Sequence, residues 1–597
     1  MIVKMKKLLL LSTKARREQT LEALRDLGVV HVVHVEPPSS DELETARRHL
    51  QHVREVTDIL RALPDAPPTD DDPHAVIDRV SALLQRKKEL AETLQALRHE
   101  VARIEPFGDF DPRDVERLRD AGLVVRLYEL PLNDPPDVPE TVALSEISRN
   151  KQKRYVLAVA RETFSIPAHE VRLPDRSLSR IRRHIERKEK ALAEADAELR
   201  RHAGDAERVA RVAREAAERV TYLEVREGAG DAEHVIYLQG YFPAEREADL
   251  AEAAKRNGWG YRATDVSDAD DPPTLLRNPK WVSPIKAVLK MIGVVPGYRE
   301  LDVSALFLIF LSIFFAFIIG DGGYGVLFLS LTLFFKFKTR GRKAAQPALD
   351  LMLLMSACTV VFGMLTGNWF GIPIESLPGF MKDLTVPYVT GWTEGRWDPD
   401  LAANHVMFIC FSIAVVHLGI AHLWNVVRKI NSFAALVDLG WLFCTCSLYT
   451  FVLNMVLYLE LPPLVQTLQL PLLGAGAGLV ALGLILTKSY FGLVTLFLDL
   501  IGNFVDVISY VRLYAVGAAS LAIAQAFNGM AADIGFSGIG ALGAAFILFA
   551  GHGLNVILGA MGVMVHGIRL NTLEFSGHAG VEWAGSPFAP FGKGEDL

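Results

Sequence analysis

The 597-residue sequence is defined first by what it does without. It has only four cysteines, Cys358, Cys410, Cys444 and Cys446. None has the CxxC spacing of a zinc site or redox dithiol, and all fall in the hydrophobic second half, so they read as small packing residues. No GxxxxGK[ST] phosphate loop, HExxH pair or nucleophile motif occurs, which argues against ATP hydrolysis by this chain and implies no bound cofactor or metal. The net charge of -7 is modest and gives no basis for a nucleic-acid partner. Charge itself is scarce in the second half. The opening MIVKMKKLLLLSTKARREQ has no small-residue cleavage site after its short apolar run, so it reads as a buried strand rather than a signal peptide.

What is present divides in two. Residues Val3 to Val35 read strand, helix, strand, with Gly28 as helix stop. Asp41 to Leu63 is charged and helical, and PDAPPTDDDP ends it, because closely spaced prolines and acids cannot sustain a helix. In the next helix Val76, Leu83, Leu90, Leu97 and Ile104 lie seven apart, with Val80, Leu94 and Val101 at the other core position and Lys87 interrupting it. A matching seam runs through Leu178, Ile185, Leu192 and Leu199, flanked by Ile181 and Ala195. Two such helices of about 30 residues or more predict an antiparallel pair about 45 Å long. Between them lie the strand-like GLVVRLYEL and RYVLAVA, and after them residues 234–266 again read strand, helix, strand. The expected soluble part, residues 1–300, is a rod with an α/β lobe at each end. Heptads specify a partner helix and no chemistry.

Residues 301–597 hold eight apolar runs, at 304–319, 323–337, 348–366, 404–427, 433–459, 471–487, 490–528 and 539–573. The fold class is therefore a mainly α membrane protein: α/β lobes on a long coiled coil, then about eight transmembrane helices, the last two long and tilted. Basic clusters at Lys336 to Lys343, at Arg428 with Lys429 and at Lys488 occupy alternate connections, whereas the loop from Glu375 to Asp400 is acidic. The positive-inside rule then puts the basic loops, the rod and both chain ends in the cytoplasm.

The last two runs, 39 and 35 residues, make helices of about 58 and 52 Å against a hydrocarbon core of about 30 Å. They must tilt, kink or protrude. Each carries an arginine, Arg512 and Arg569. Inserting one at mid-membrane costs at least about 2.5–3.5 kcal/mol, so it needs a partner or marks a pathway, unless it snorkels from a helix end. Ala515, Ala519, Ala522 and Ala526 lie within about 80° of Arg512 on a helical wheel, and Asp499, Asn503, Asp506 and Tyr510 form a polar stripe about 120° away. On the last run Asn555, Gly562, His566 and Arg569 share a side, with Glu574 following. Small residues alone also fit close helix packing. With the arginines, these faces read as a polar ion or proton route interrupted by a charge barrier.

Five motifs follow in order: PPTLLRNP (Pro272 to Pro279), GDGGYG (Gly320 to Gly325), LTGNWFG (Leu365 to Gly371), DVISYVRLYAVG (Asp506 to Gly517) and VHGIRLNTLEF (Val565 to Phe575). Behind a coiled-coil domain, they make the sequence resemble, over essentially its whole length, the membrane stator subunit of V-type and A-type rotary ATPases, called subunit a in eukaryotes and subunit I in prokaryotes. The resemblance implies that Arg512 and Arg569 face a rotating proteolipid ring whose carboxylates carry H⁺ or Na⁺ between two half-channels. Asp499, Asp506, Gln525, His566 and Glu574 are then the half-channel candidates. Some relatives carry a carboxylate ten residues before the second arginine and a histidine eight after the first; here these positions are Gly559 and Ser520. His566 reads equally as an interhelical hydrogen-bond partner, and His417, His422, Trp369 and Asp321 as packing or turn residues. Implied partners are the proteolipid ring, the peripheral stalks, the central stalk, the ATP-hydrolysing head and membrane lipid, in a prokaryotic plasma membrane. The rival readings are a secondary transporter with a regulatory domain, against which no repeat relates the first four runs to the last four, and a non-transporting anchor.

Overall fold

A computed structural model describes every residue except 65, 133–135, 342–344, 394–395 and 595–597. Asp65 of the predicted helix break, Arg342 and Lys343 of the basic cluster and Glu394 of the acidic loop therefore lie outside the described residues.

The N-terminal run KKLLLL is a strand, Met5–Thr13, at the centre of an antiparallel sheet. Val235–Pro243 and Gly260–Asp265 pair with it on either side, and His31–Val33 pairs with Val235–Pro243. Two strand, helix, strand units thus interleave in one sheet, a split βαβ arrangement. Their helices, Arg17–Leu27 and Glu247–Asn257, end alike on glycines with left-handed φ, Gly28 at 60° and Gly258 at 70°.

The rod is inserted between the two units. Asp41–Arg61 packs antiparallel on Ala206–Glu227, and Pro73–Ile104 on Leu178–Arg201. The second seam differs from expectation: its helix has 24 residues, then breaks in the 3-10 turn His202–Asp205 before continuing. That turn lies opposite the proline-rich break. Buried Asp205 accepts from the Thr69 amide at 3.1 Å and hydroxyl at 2.7 Å, and a Cβ on Gly204 would come within 2.3 Å of the Ala66 carbonyl oxygen. Both partners break at one level, so the rod has a joint. Lys87, the interruption in the seam, is ion-paired with Asp196. At the far end Ala143–Arg149, Lys153–Ala160, Val124–Pro131 and His169–Val171 form a four-stranded antiparallel sheet in that order.

Among the described residues, eight long helices follow: Ser304–Ile319, Gly322–Lys338, Gln346–Thr366, Pro399–Arg428, Ala434–Leu457, Pro463–Leu486, Tyr490–Ile534 and Gly538–Ala579. The last six are long and apolar enough to cross a membrane. The first two have 16 and 17 residues and rise about 24 and 26 Å, short of the hydrocarbon thickness. The third packs against both, and the Phe315 and Phe328 rings of the first two meet edge to face at 6.2 Å. The Phe317 and Phe362 rings approach to 4.3 Å at one end of the third helix, and Lys336 pairs with Asp350 at the other. Asp321 caps the second helix by accepting from the Gly323 and Tyr324 amides, which agrees with its reading as a turn residue.

The last two helices exceed the predicted lengths. They span 45 and 42 residues. At the exit from the eighth, the backbone N–H groups of Glu582 and Trp583 donate to the Glu300 carboxylate, which precedes the first helix. The chain therefore enters and leaves this bundle on one side. Residues 581–594 return to the first lobe, where Phe591 is buried in the core with Leu24, Val30 and Leu223, and its N–H donates to the Val30 carbonyl.

Candidate functional site

The seventh helix is not continuous. Tyr490–Ser509 and Val511–Ile534 meet at Tyr510, and Arg512 lies in the first turn beyond. The break leaves the Ser509 carbonyl without its helical partner, and Arg512 Nε donates to it at 2.9 Å. Arg512 Nη2 donates to Glu574 Oε1 at 2.6 Å, and Arg569 Nε lies 3.5 Å from the same oxygen. Glu574 is almost wholly buried, with a side chain 4 % exposed, while the Arg512 and Arg569 side chains are 23 % and 54 % exposed. Two cations and one carboxylate thus form one cluster at the contact of the last two helices. Desolvating an arginine is tolerable when such a partner supplies charge and an acceptor.

A helical wheel misses this cluster for a geometric reason. On a uniform α-helix five residues turn through about 500°, which sets Glu574 about 140° away from Arg569. The eighth helix instead contains two π segments, Val563–Gly567 and Leu570–Phe575. Bonding to the fifth residue brings Glu574 back over Arg569.

The other candidates separate. Asp506 Oδ2 lies 3.1 Å from His578 Nε2, whose other nitrogen lies 2.9 Å from His422 Nε2. Asn503 is buried and exchanges hydrogen bonds with Thr445 of the fifth helix, and Tyr510 is buried with its hydroxyl 2.8 Å from His417 Nδ1. Asn503 and Tyr510 of the predicted polar stripe are therefore buried against neighbouring helices. Asp499 is exposed and bonds only within its helix, accepting from Thr495 at 2.9 Å. His566 makes no hydrogen bond among the described residues, and its Nδ1 is buried, so the interhelical-partner reading is not met. Gln525 lines a cavity of about 270 Å³ that runs from Thr390 past Asn368 to Tyr514, close beyond Arg512.

His417 and His422, read from sequence as packing residues, belong to this polar network. His417 also stacks between Phe310 and Phe575, at 3.8 and 4.2 Å, so packing is half of its role. His578 and a second network were missed. In that network the Tyr324 hydroxyl of GDGGYG lies 2.6 Å from His552 Nδ1 and accepts from Asn555 at 3.0 Å, and His552 Nε2 reaches Asn528 at 3.1 Å. Its sequence signals are Asn555 on the polar side of the last run and a tyrosine inside a glycine-rich helix start. Ala515, Ala519, Ala522 and Ala526, by contrast, form an exposed face on the arginine helix, as their spacing predicts.

Fold and site together define a multi-pass integral membrane protein, with a long helical arm and an arginine–carboxylate cluster on its last two helices. No family model matches the chain. V-type ATP synthase subunit I 1 of Treponema pallidum (strain Nichols) is 30% identical over 99% of this chain and 100% of its own length. V-type ATP synthase subunit I of Borreliella burgdorferi is 28% identical over the same shares, and A-type ATP synthase subunit I of Pyrococcus horikoshii is 26% identical over 59% of this chain and 53% of its own. A crystal structure of the cytoplasmic N-terminal domain of subunit I, homolog of subunit a, of V-ATPase matches 43% of this chain and 100% of its own at 16% identity, with a TM-score of 0.20, too low to bear on the fold. The chain belongs to the subunit I family of V-type and A-type ATP synthases.

Proposed function

We propose that this chain is the membrane stator of a rotary V/A-type ATPase and that Arg512 and Arg569 control ion transfer to a rotating proteolipid ring. The observation that carries this reading is a guanidinium fixed at the edge of an exposed small-residue face, Ala515 to Ala526. Ring helices could sweep along such a face without steric locking. A ring carboxylate arriving there competes with Glu574 for Arg512. A nearby cation favours the ionised form of that carboxylate, so it must release its ion before it passes. The alternating basic loops support a cytoplasmic location for the arm and both chain ends. The stiff arm suits attachment to peripheral stalks, because torque on the ring demands a reaction. The Gln525 cavity supports an outer half-channel, and the Asp506 pairing with His578 an inner one.

Arg512→Lys in the complete complex, reconstituted in proteoliposomes, tests the reading. Lysine keeps the charge but loses the planar fork that serves Glu574 and Ser509 together. Coupled pumping is expected to disappear while the complex still assembles. Ion flux by this chain alone would instead identify a transporter, and unchanged pumping by the lysine variant would remove the arginine from the mechanism.

A further inference from the structure

The inner half of the bundle concentrates histidines that the arginine mechanism does not use. His417 and His422 on the fourth helix and His578 at the end of the eighth meet Asp506 and Tyr510 of the seventh. Several buried polar atoms in this region have no hydrogen-bond partner among the described residues: His417 Nε2, His422 Nδ1, Asn425 Oδ1, Asn571 Oδ1 and Glu574 Oε2. Buried polar groups are ordinarily paired with protein or water, and this group adjoins the arginine cluster.

With Asp506 ionised and His578 neutral, the hydrogen-bond chemistry of the chain has a direction. An ionised carboxylate only accepts, so Asp506 requires a proton on His578 Nε2. A neutral His578 then accepts at Nδ1, which requires the proton of His422 to be on Nε2. His422 Nδ1 is left with a free lone pair, and it is one of the unpartnered buried atoms. Every link is thereby assigned, and the open acceptor lies at the end away from the carboxylate.

From this geometry we infer that His422, His578 and Asp506 form a proton relay on the inner side of the membrane domain, serving the ion path proposed above. A proton bonds to His422 Nδ1; the Nε2 proton of His422 moves to His578 Nδ1; the Nε2 proton of His578 moves to Asp506. One proton enters and one carboxylate is neutralised, with no other reactant. Reversal of the same steps carries a proton the other way. Imidazole nitrogens offer poor ligation to Na⁺, a hard cation that takes oxygen, so the relay commits the inner path to H⁺. The titratable and charged groups facing His578 are Asp506 of the seventh helix and His417 and His422 of the fourth; Lys429 neighbours His422, and Tyr510, next to Asp506, is neighboured by Arg512 and Glu574.

The test uses the complete complex in proteoliposomes, with subunit composition checked after purification. His578→Ala is expected to slow ATP-driven acidification at least about tenfold, to move its pH–rate profile, and to recover in part with added imidazole. His578→Gln, which keeps a donor toward Asp506 but cannot pass a proton, should be equally slow, and it decides the matter if the alanine variant does not assemble. Pumping by the glutamine variant at the unaltered rate and pH profile overturns the relay, because it leaves His578 a purely structural role. Na⁺-dependent pumping without acidification overturns it as well. Arg512→Lys is measured in parallel. Should that variant pump normally, the arginine mechanism fails, while the His578 profiles still judge the relay.

Discussion

Glu574 is the residue on which the arginine cluster balances, because its one bonded oxygen serves both cations while Oε2 has no partner. Glu574→Gln keeps an acceptor but removes the charge. Breaking a buried pair by losing one partner costs about 3–5 kcal/mol, so the variant should unfold at lower temperature in detergent, with Arg569→Ala milder because that side chain is half exposed. Thermal denaturation of the purified subunit checks the order of the two. At this scale sequence and structure agree on the exposed alanine face, and composition alone singles out Arg512 and Arg569 as charges in apolar runs. They part over Glu574 and the histidines. The π segments rotate the eighth helix out of the phase that a 100° count assumes, and His417 and His422 acquire meaning only when a fourth helix is docked on a seventh, which no local pattern encodes.

Among elements, the heptads gave the rod its partners, and residues such as Val80, Leu83 and Leu199 are buried as their spacing requires. The Asp41–Arg61 partner in Ala206–Glu227 was less legible, because its buried stripe of Val209, Ala216, Val220 and Leu223 is diluted by alanines and arginines, with ion pairs such as Arg47 with Glu224 at 2.8 Å flanking it. Leu83→Ala should lower the stability of the arm by about 2–3 kcal/mol without affecting the bundle, as read by proteolysis of the rod against that of the membrane domain. The glycines of GDGGYG are explained by contact rather than by turn chemistry alone. A Cβ on Gly363 would lie 2.1 Å from the Gly322 amide nitrogen, backbone against backbone. Gly363→Leu is therefore expected to separate the second and third helices, and detergent-solubilised yield of folded protein is the measurement.

On the scale of the whole molecule, the soluble lobe and the bundle are stitched together by residues 581–594, a contact that the sequence did not announce because its apolar anchors are few and far from their partners. His31 sits at this seam, its Nδ1 3.0 Å from the Ala589 carbonyl and 3.1 Å from its amide. Burial holds the His31 pKa below the ordinary value, against the opposing effect of the Ala589 carbonyl, with His34 adding to the lowering. A base whose folded pKa is depressed stabilises the seam fully above its unfolded pKa of about 6.5 and loses that contribution as pH falls through the lower folded value. Amide protection of residues 581–594, corrected for the pH dependence of intrinsic exchange, should fall as pH drops through this window, and His31→Phe should flatten the dependence; an unchanged slope in the variant would remove His31 from the seam.

That stitch also orders events during synthesis. The central strand Met5–Thr13 emerges first, its neighbours Val235–Pro243 and Gly260–Asp265 only after the entire arm, and Phe591 only after the last helix has left the ribosome. The lobe must wait, partly open, until every hydrophobic segment has been handed to the bilayer. Its final closure would thus mark a chain whose insertion is finished.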